Sequence, residues 1–167
     1  MFTRILTAIG LAAALSVAAS AADPAKLQLP GDITLEQATK VVEAAKAKAK
    51  QQGTLMDIAV VDAGGNLKAF ARMDGAFLGS IDISIKKART ARLFNMPSKT
   101  LGDLAQVGKP LYGIEVTNDG LVIFGGGEPI LDKNGVIVGA GGLSGSAWGD
   151  DLEFAHGSGA GDSYRAH

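Results

Sequence analysis

The chain contains no cysteine. That excludes a disulfide framework and any thiolate metal site, although it does not locate the protein. Histidine is nearly absent as well, with two in 167 residues, His156 and the terminal His167. Phosphate-loop chemistry is missing: the glycine-rich stretches are followed by no Gly-Lys-Ser/Thr, and a strand pattern follows them instead of a helix. Gly142-Leu143-Ser144-Gly145 is not a nucleophile elbow, and no histidine is placed to serve Ser144 or Ser146 as a base. There is no excess of positive charge either. Lys and Arg total 16 against 17 acidic residues, so nucleic acid is not an expected partner, and any basic patch must be local. No repeat or second domain is visible.

Long apolar runs are confined to the start. Met1–Ser20 carries one cation, Arg4, then an apolar run from Ile5 to Ala19 and small residues at Ala19-Ser20-Ala21. This is the pattern of a secretory signal peptide cut after Ala21, which places the mature chain in the periplasm or outside the cell, with no membrane segment left after cleavage. Without Arg4 the balance is 15 against 17, a net charge of −2. Residues 22–31 read as a linker, 32–156 as one globular domain, and the Gly/Ser-rich residues 157–167 as a flexible tail.

Within the domain, Thr34 and Gln37 form a capping box, and Leu35, Ala38, Val41, Val42, Ala45 and Ala49 follow at helical spacing until Gly53. Met56–Val61 and Leu67–Met73 alternate as strands around the turn Asp62-Ala63-Gly64-Gly65-Asn66, with Phe70 on a partly open face. Ser80–Asn95 reads as a second helix capped by Ser80, its apolar stripe made by Ile81, Ile85, Ala88 and Ala91. Lys86, Arg89 and Arg92 share one side, with Lys87 beside them. They are either a solvated face or an anchor for a ligand's carboxylates, which an Arg fork grips bidentately. Ser98–Val107 holds a short helical turn after Pro97, and Leu111–Thr117 looks extended.

The region that organises the rest is Leu121–Gly145. Leu121–Phe124 and Val136–Val138 read as the arms of a β-hairpin turned by Asp132-Lys133-Asn134-Gly135. Gly125, Gly126, Gly127, Gly139, Gly141 and Gly142 strip both arms of side chains. Such a row marks close approach by a helix, a neighbouring subunit or a flat ligand. Trp148–His156 reads as a short helix whose Asp150, Asp151, Glu153 and His156 could cap it or, through Glu153 and His156 three apart, hold a metal. The order of helices and strand pairs predicts an α+β domain with an antiparallel sheet.

Val60-Val61-Asp62-Ala63-Gly64-Gly65-Asn66, Arg72-Met73-Asp74, Asp82-Ile83-Ser84 and Lys87-Ala88-Arg89-Thr90-Ala91 together resemble the GlcG/HbpS-like family. Leu111-Tyr112-Gly113, Thr117-Asn118, Phe124-Gly125-Gly126-Gly127 with Pro129, Val138-Gly139-Ala140 and Ser144-Gly145 are similar to its branch formed by the PduO C-terminal domain. The resemblance runs from about Leu35 to Gly145. It implies a profilin/PAS-like antiparallel sheet of about five strands flanked by helices, assembly into homo-oligomers, haem as a cofactor, and a role in haem or iron handling or degradation. Haem iron needs an axial donor; His156, Tyr112 and Thr90 are the candidates, Lys86, Arg89 and Arg92 would hold propionates, and Gly125 and Gly126 would admit the flat ring. The chain departs from the family in a compressed segment after Gly145 and in a first helix without histidine. The competing readings are an enzyme or accessory factor for a small carboxylic acid, held by the same cations, and an oligomer with a purely structural role.

Overall fold

A computed structural model describes residues 31–145 and 165–166. Helix α1 (Leu35–Gln52) starts at the capping box: the Thr34 hydroxyl accepts from the Gln37 N–H at 3.1 Å, and the Thr34 N–H donates to Gln37 Oε1 at 2.9 Å. It stops at Gly53, whose φ of 71° is a left-handed C-cap that glycine adopts without steric cost. Strands β1 (Met56–Val61) and β2 (Leu67–Arg72) form the first antiparallel pair. Helix α2 (Gly79–Phe94) and the short α3 (Ser98–Leu104) follow, then a 3-10 turn at Ile114–Val116. Strands β3 (Gly127–Asp132) and β4 (Ile137–Gly145) make the second pair, and the two-residue β5 (Arg165–Ala166) lies parallel to β3. The sheet order is β2-β1-β4-β3-β5, which makes the domain α+β with an antiparallel body, as the strand and helix pattern predicts.

The two faces of the sheet are covered differently. On one, Met56, Ile58, Val60, Ile130, Val138 and Leu143 pack with Ala38, Val41, Val42, Ala45 and Ala49 of α1. Burying each branched aliphatic side chain here stabilises the fold by about 1.5–3 kcal/mol. On the other, Ala59, Val61 and Ala140 meet Ala88 and Ala91 of α2, with Ile85 at the edge. Small residues on both sides let this helix come close. A Cβ placed on Gly142 would lie 2.1 Å from the Ser84 carbonyl oxygen, and one on Gly127 would lie 2.4 Å from that of Lys87. At Gly127 and Gly142 the space is thus taken by the backbone of α2, and a Cβ on Gly139 would meet the Val61 carbonyl and Ile33, which corrects the expectation that these positions leave room for a flat guest.

Four local expectations also change. Leu121–Phe124 is not a strand: the Val122 N–H donates to the Thr90 hydroxyl, the Phe124 carbonyl accepts from the Ser98 hydroxyl, and the ladder begins only at Gly127. Leu111–Thr117 is turn and 3-10 helix, because Gly113 takes a φ of 87° and folds the chain back. Ser80 does not cap α2; Leu78 stands at the cap with no side-chain hydrogen bond. The buried face of α2 is also rotated from the expected stripe, to Ser80, Ser84, Lys87, Ala88, Thr90 and Ala91, leaving Ile81 and Ile85 half-buried.

The turns behave as expected. In the β1–β2 turn Asp62 Oδ1 accepts from the N–H groups of Gly64 and Asn66, both at 2.8 Å. In the β3–β4 turn Asp132 Oδ1 accepts from those of Asn134 and Val136, at 2.8 and 2.9 Å. The same side chain closes both reversals in the same way.

Candidate functional site

Where α2 begins, the close packing opens into a cleft of about 230 Å³ lined by Phe77, Gly79, Ser80, Ile83, Phe124, Ser144 and Gly145. Each wall has a separate origin. Phe77 comes from the loop after β2, and Ser80 and Ile83 from one side of the first turns of α2. Phe124 is presented by the irregular segment before β3, and Ser144 and Gly145 close the end of β4. The walls are chiefly apolar, and the two rings remain half open to solvent, Phe77 at 55% and Phe124 at 49%.

Phe124 is held from three directions. The Ser98 hydroxyl donates to its carbonyl at 2.6 Å and accepts from the Gly127 N–H at 3.0 Å, clamping both ends of the Gly125-Gly126 turn. The Gly126 carbonyl in turn accepts from the Leu143 N–H at 2.9 Å. Under the ring lies the Lys87 ammonium, 4.6 Å from its centroid, where the negative face of the ring attracts it. Lys87 is fully buried and donates to the Leu143 carbonyl at 2.8 Å. Of the four clustered cations, the one taken only as a neighbour in the sequence reading is thus the one that enters the core.

The residues singled out from the sequence are dispersed. Lys86 pairs with Asp82 at 2.8 Å on the half-exposed side of α2, close to Gly120. Arg89 is half-buried on the same helix. Arg92 Nη1 donates to Asn95 Oδ1 at 2.6 Å, while its Nε is buried without a partner. Thr90 is fully buried and faces Val122, so its hydroxyl serves the protein's own backbone. Tyr112 is 66% exposed. Gly125 and Gly126 lie beside Phe124, and Gly126 needs its φ of 110°. His156 and Glu153 lie outside the described residues, among which no group of three or more His, Cys, Asp or Glu could hold a metal.

The sequence reading missed the cleft itself. Phe124 carried a signal, being a phenylalanine beside a glycine run in an aromatic-poor chain, but nothing local says that Phe77 lines the same cleft. Asp57 was also missed. It stands on β1 between Met56 and Ile58 and is fully buried, and neither carboxylate oxygen has a hydrogen-bond partner. Burial pushes its carboxyl above the usual range, against the opposing pull of Arg72. The signal was there, as a charged residue inside an otherwise apolar strand.

Comparison with known proteins gives these features a context. A 15.0 kDa protein from the dhaT–dhaS intergenic region of Citrobacter freundii is 42% identical over 131 residues, which is 78% of this chain and 92% of that protein. The corrinoid adenosyltransferase PduO of Salmonella typhimurium is 31% identical over 126 residues, 75% of this chain, but the match spans only 38% of that longer protein. The solved structure of a PduOC–haem complex superposes with a TM-score of 0.72 at 31% identity, covering 81% of this chain and 99% of that one. Residues 33–158 match the family described as haem degrading protein HbpS-like, and the chain belongs to that HbpS-like family.

Proposed function

We propose that this is an exported haem-binding protein and that the ring of the haem enters the cleft between Phe77 and Phe124. One observation carries the reading: a half-open apolar cleft with two aromatic side chains in its walls, and cations on the helix that contributes Ser80 and Ile83 to it. Apolar clefts with a few polar groups are the usual seats of flat cofactors. The presence of haem in the PduOC structure supports the choice among such ligands.

The residues fit the group in part. Phe77, Ile83 and Phe124 would hold the ring, and Lys86, three residues beyond Ile83, would exchange its pairing with Asp82 for a propionate. None of the side chains lining the cleft is a His, Met or Tyr, so the axial donor comes from elsewhere. The described chain leaves the cleft at Gly145, and His156, eleven positions later in the sequence, would be the candidate donor. When bound, the iron supplies whatever redox chemistry the protein performs. The chain's own part is to shield one face of the ring and to place its carboxylates.

Titration of the protein with haemin tests the reading through the Soret band. A shifted band that saturates at a fixed stoichiometry is expected, with affinity weakened about tenfold or more by Phe124→Ser. A Soret spectrum unchanged from free haemin at every ratio would sink it. Loss of the shifted band in His156→Ala, with binding retained by fluorescence quenching, would assign the axial ligand.

A further inference from the structure

The haem reading uses the apolar walls of the cleft and leaves its polar side chains without a task. Two serines line it, Ser80 in the first turn of α2 and Ser144 near the end of β4. Both are more than nine-tenths buried, at 5% and 4% exposed. Other buried serines of the same region are satisfied: Ser84 donates to the Ile81 carbonyl and Ser98 to that of Phe124. The hydroxyls of Ser80 and Ser144 have no such partner among the described residues, and neither oxygen is sealed inside the protein. The little surface each keeps therefore opens on the cleft. Hydroxyls this buried are nearly always satisfied, so two unsatisfied ones on a single cleft mark the seat of a ligand's polar group.

Helix α2 sets the sign of that group. Leu78 stands at its cap and makes no side-chain hydrogen bond, and the Gly79 N–H has no backbone partner among the described residues. Gly79 lines the cleft as well, so the positive end of a 16-residue helix meets the two hydroxyls there. Donors at a positive helix end are best matched by a negatively charged acceptor. Asp57, opposite Ser144 in the β1–β4 register, bonds to neither serine, and burial raises its carboxyl, which weakens its opposition to an anion. Among the described residues no Lys or Arg lines the cleft, so a doubly charged phosphate would be poorly balanced, whereas a single carboxylate suits these donors. Volume and lining set the rest of the ligand. A cavity of about 150 Å³ takes a benzene ring, and this cleft, at about 230 Å³, adds room for a short acid group.

We propose that the cleft binds a small arylcarboxylate, its ring against Phe77, Ile83 and Phe124 and its carboxylate on the Ser80 and Ser144 hydroxyls and the Gly79 N–H. The inference goes beyond the haem reading and does not need it, because one ring with its acid fits within the cleft whole.

The experiment titrates the protein with phenylacetate and with phenylacetamide, which keeps the shape and loses the charge, and follows the backbone amides by NMR. Phenylacetate is expected to saturate, with the largest shifts at Gly79, Ser80 and Gly145, and to bind about fivefold or more tightly than the amide. Ser80→Ala and Ser144→Ala each remove one hydroxyl. Each is expected to weaken phenylacetate about tenfold while the amide changes by less than about threefold, and the rest of the spectrum reports that the variant is folded. Absence of saturation, or equal affinity for the two probes, would overturn the proposal. So would shifts centred on Lys86 and Arg89, or an affinity for phenylacetate unchanged in both variants. Any of these leaves the haem reading to its own Soret titration, and an unchanged Soret band with phenylacetate bound would sink the haem reading alone.

Discussion

Lys87 shows how a single residue can change meaning between sequence and structure. By charge it belongs with Lys86, Arg89 and Arg92 on a wet helical face. By position it falls on the stripe shared with Ser80, Ser84 and Ala91, and position wins because its stem fills the space under Phe124 while its ammonium reaches the Leu143 carbonyl. Lys87→Met is expected to retain the packing but lose that donor, destabilising the fold by about 1–3 kcal/mol. Lys87→Ala, which also leaves a void, is expected to cost more. Urea unfolding midpoints at constant slope check the order of the two. Equal stability for both variants would mean that the buried stem contributes nothing.

Among the elements, α2 and the β3–β4 hairpin act as one unit because their backbones touch. Gly142→Ala drives a methyl group into the Ser84 carbonyl and the Ala88 N–H, so a loss of about 3 kcal/mol or more is expected. Gly135→Ala meets no atom within 4 Å, and its φ of 80° alone should cost about 1–2 kcal/mol. Calorimetric melting of the pair separates contact from strain; equal losses would show that α2 yields freely. The same comparison explains what was legible in advance. The first helix could be read from Thr34 and Gln37, and β1 and β2 from their alternation, because the forces that form them act between neighbours in sequence. The glycine row announced close approach without naming the visitor. Leu121–Phe124, by contrast, has the composition of a strand but gives its hydrogen bonds to Thr90 and Ser98, roughly thirty residues earlier. No local pattern encodes that choice, and the cleft built on it was hidden for the same reason.

For the whole molecule, two carboxylates shape stability in opposite directions of pH. Burial raises the Asp32 carboxyl, but the Lys68 hydrogen bond at 2.6 Å, the Ala63 N–H and the Lys68 charge outweigh it and hold it below 3.8. Its contribution is therefore present above the unfolded value and lost as pH falls below about 4. Asp32→Asn is expected to be less stable than wild type at pH 7, with the gap closing in acid. Glu128 is pushed up to about 7 by burial. Its folded form holds the proton longer than its unfolded form, so stability declines as pH rises from about 4.5 through about 7. Melting temperatures at pH 5 and pH 8 should fall less for Glu128→Gln than for wild type, and parallel falls would contradict the assignment. One hydroxyl has a reach beyond either acid. Ser98 sits on α3, lines no part of the cleft, and still fixes Phe124 by holding its carbonyl and the Gly127 N–H three residues on. The gape of the binding mouth can therefore be retuned from a helix behind it, so relatives with identical linings could still differ in the girth of guest they admit.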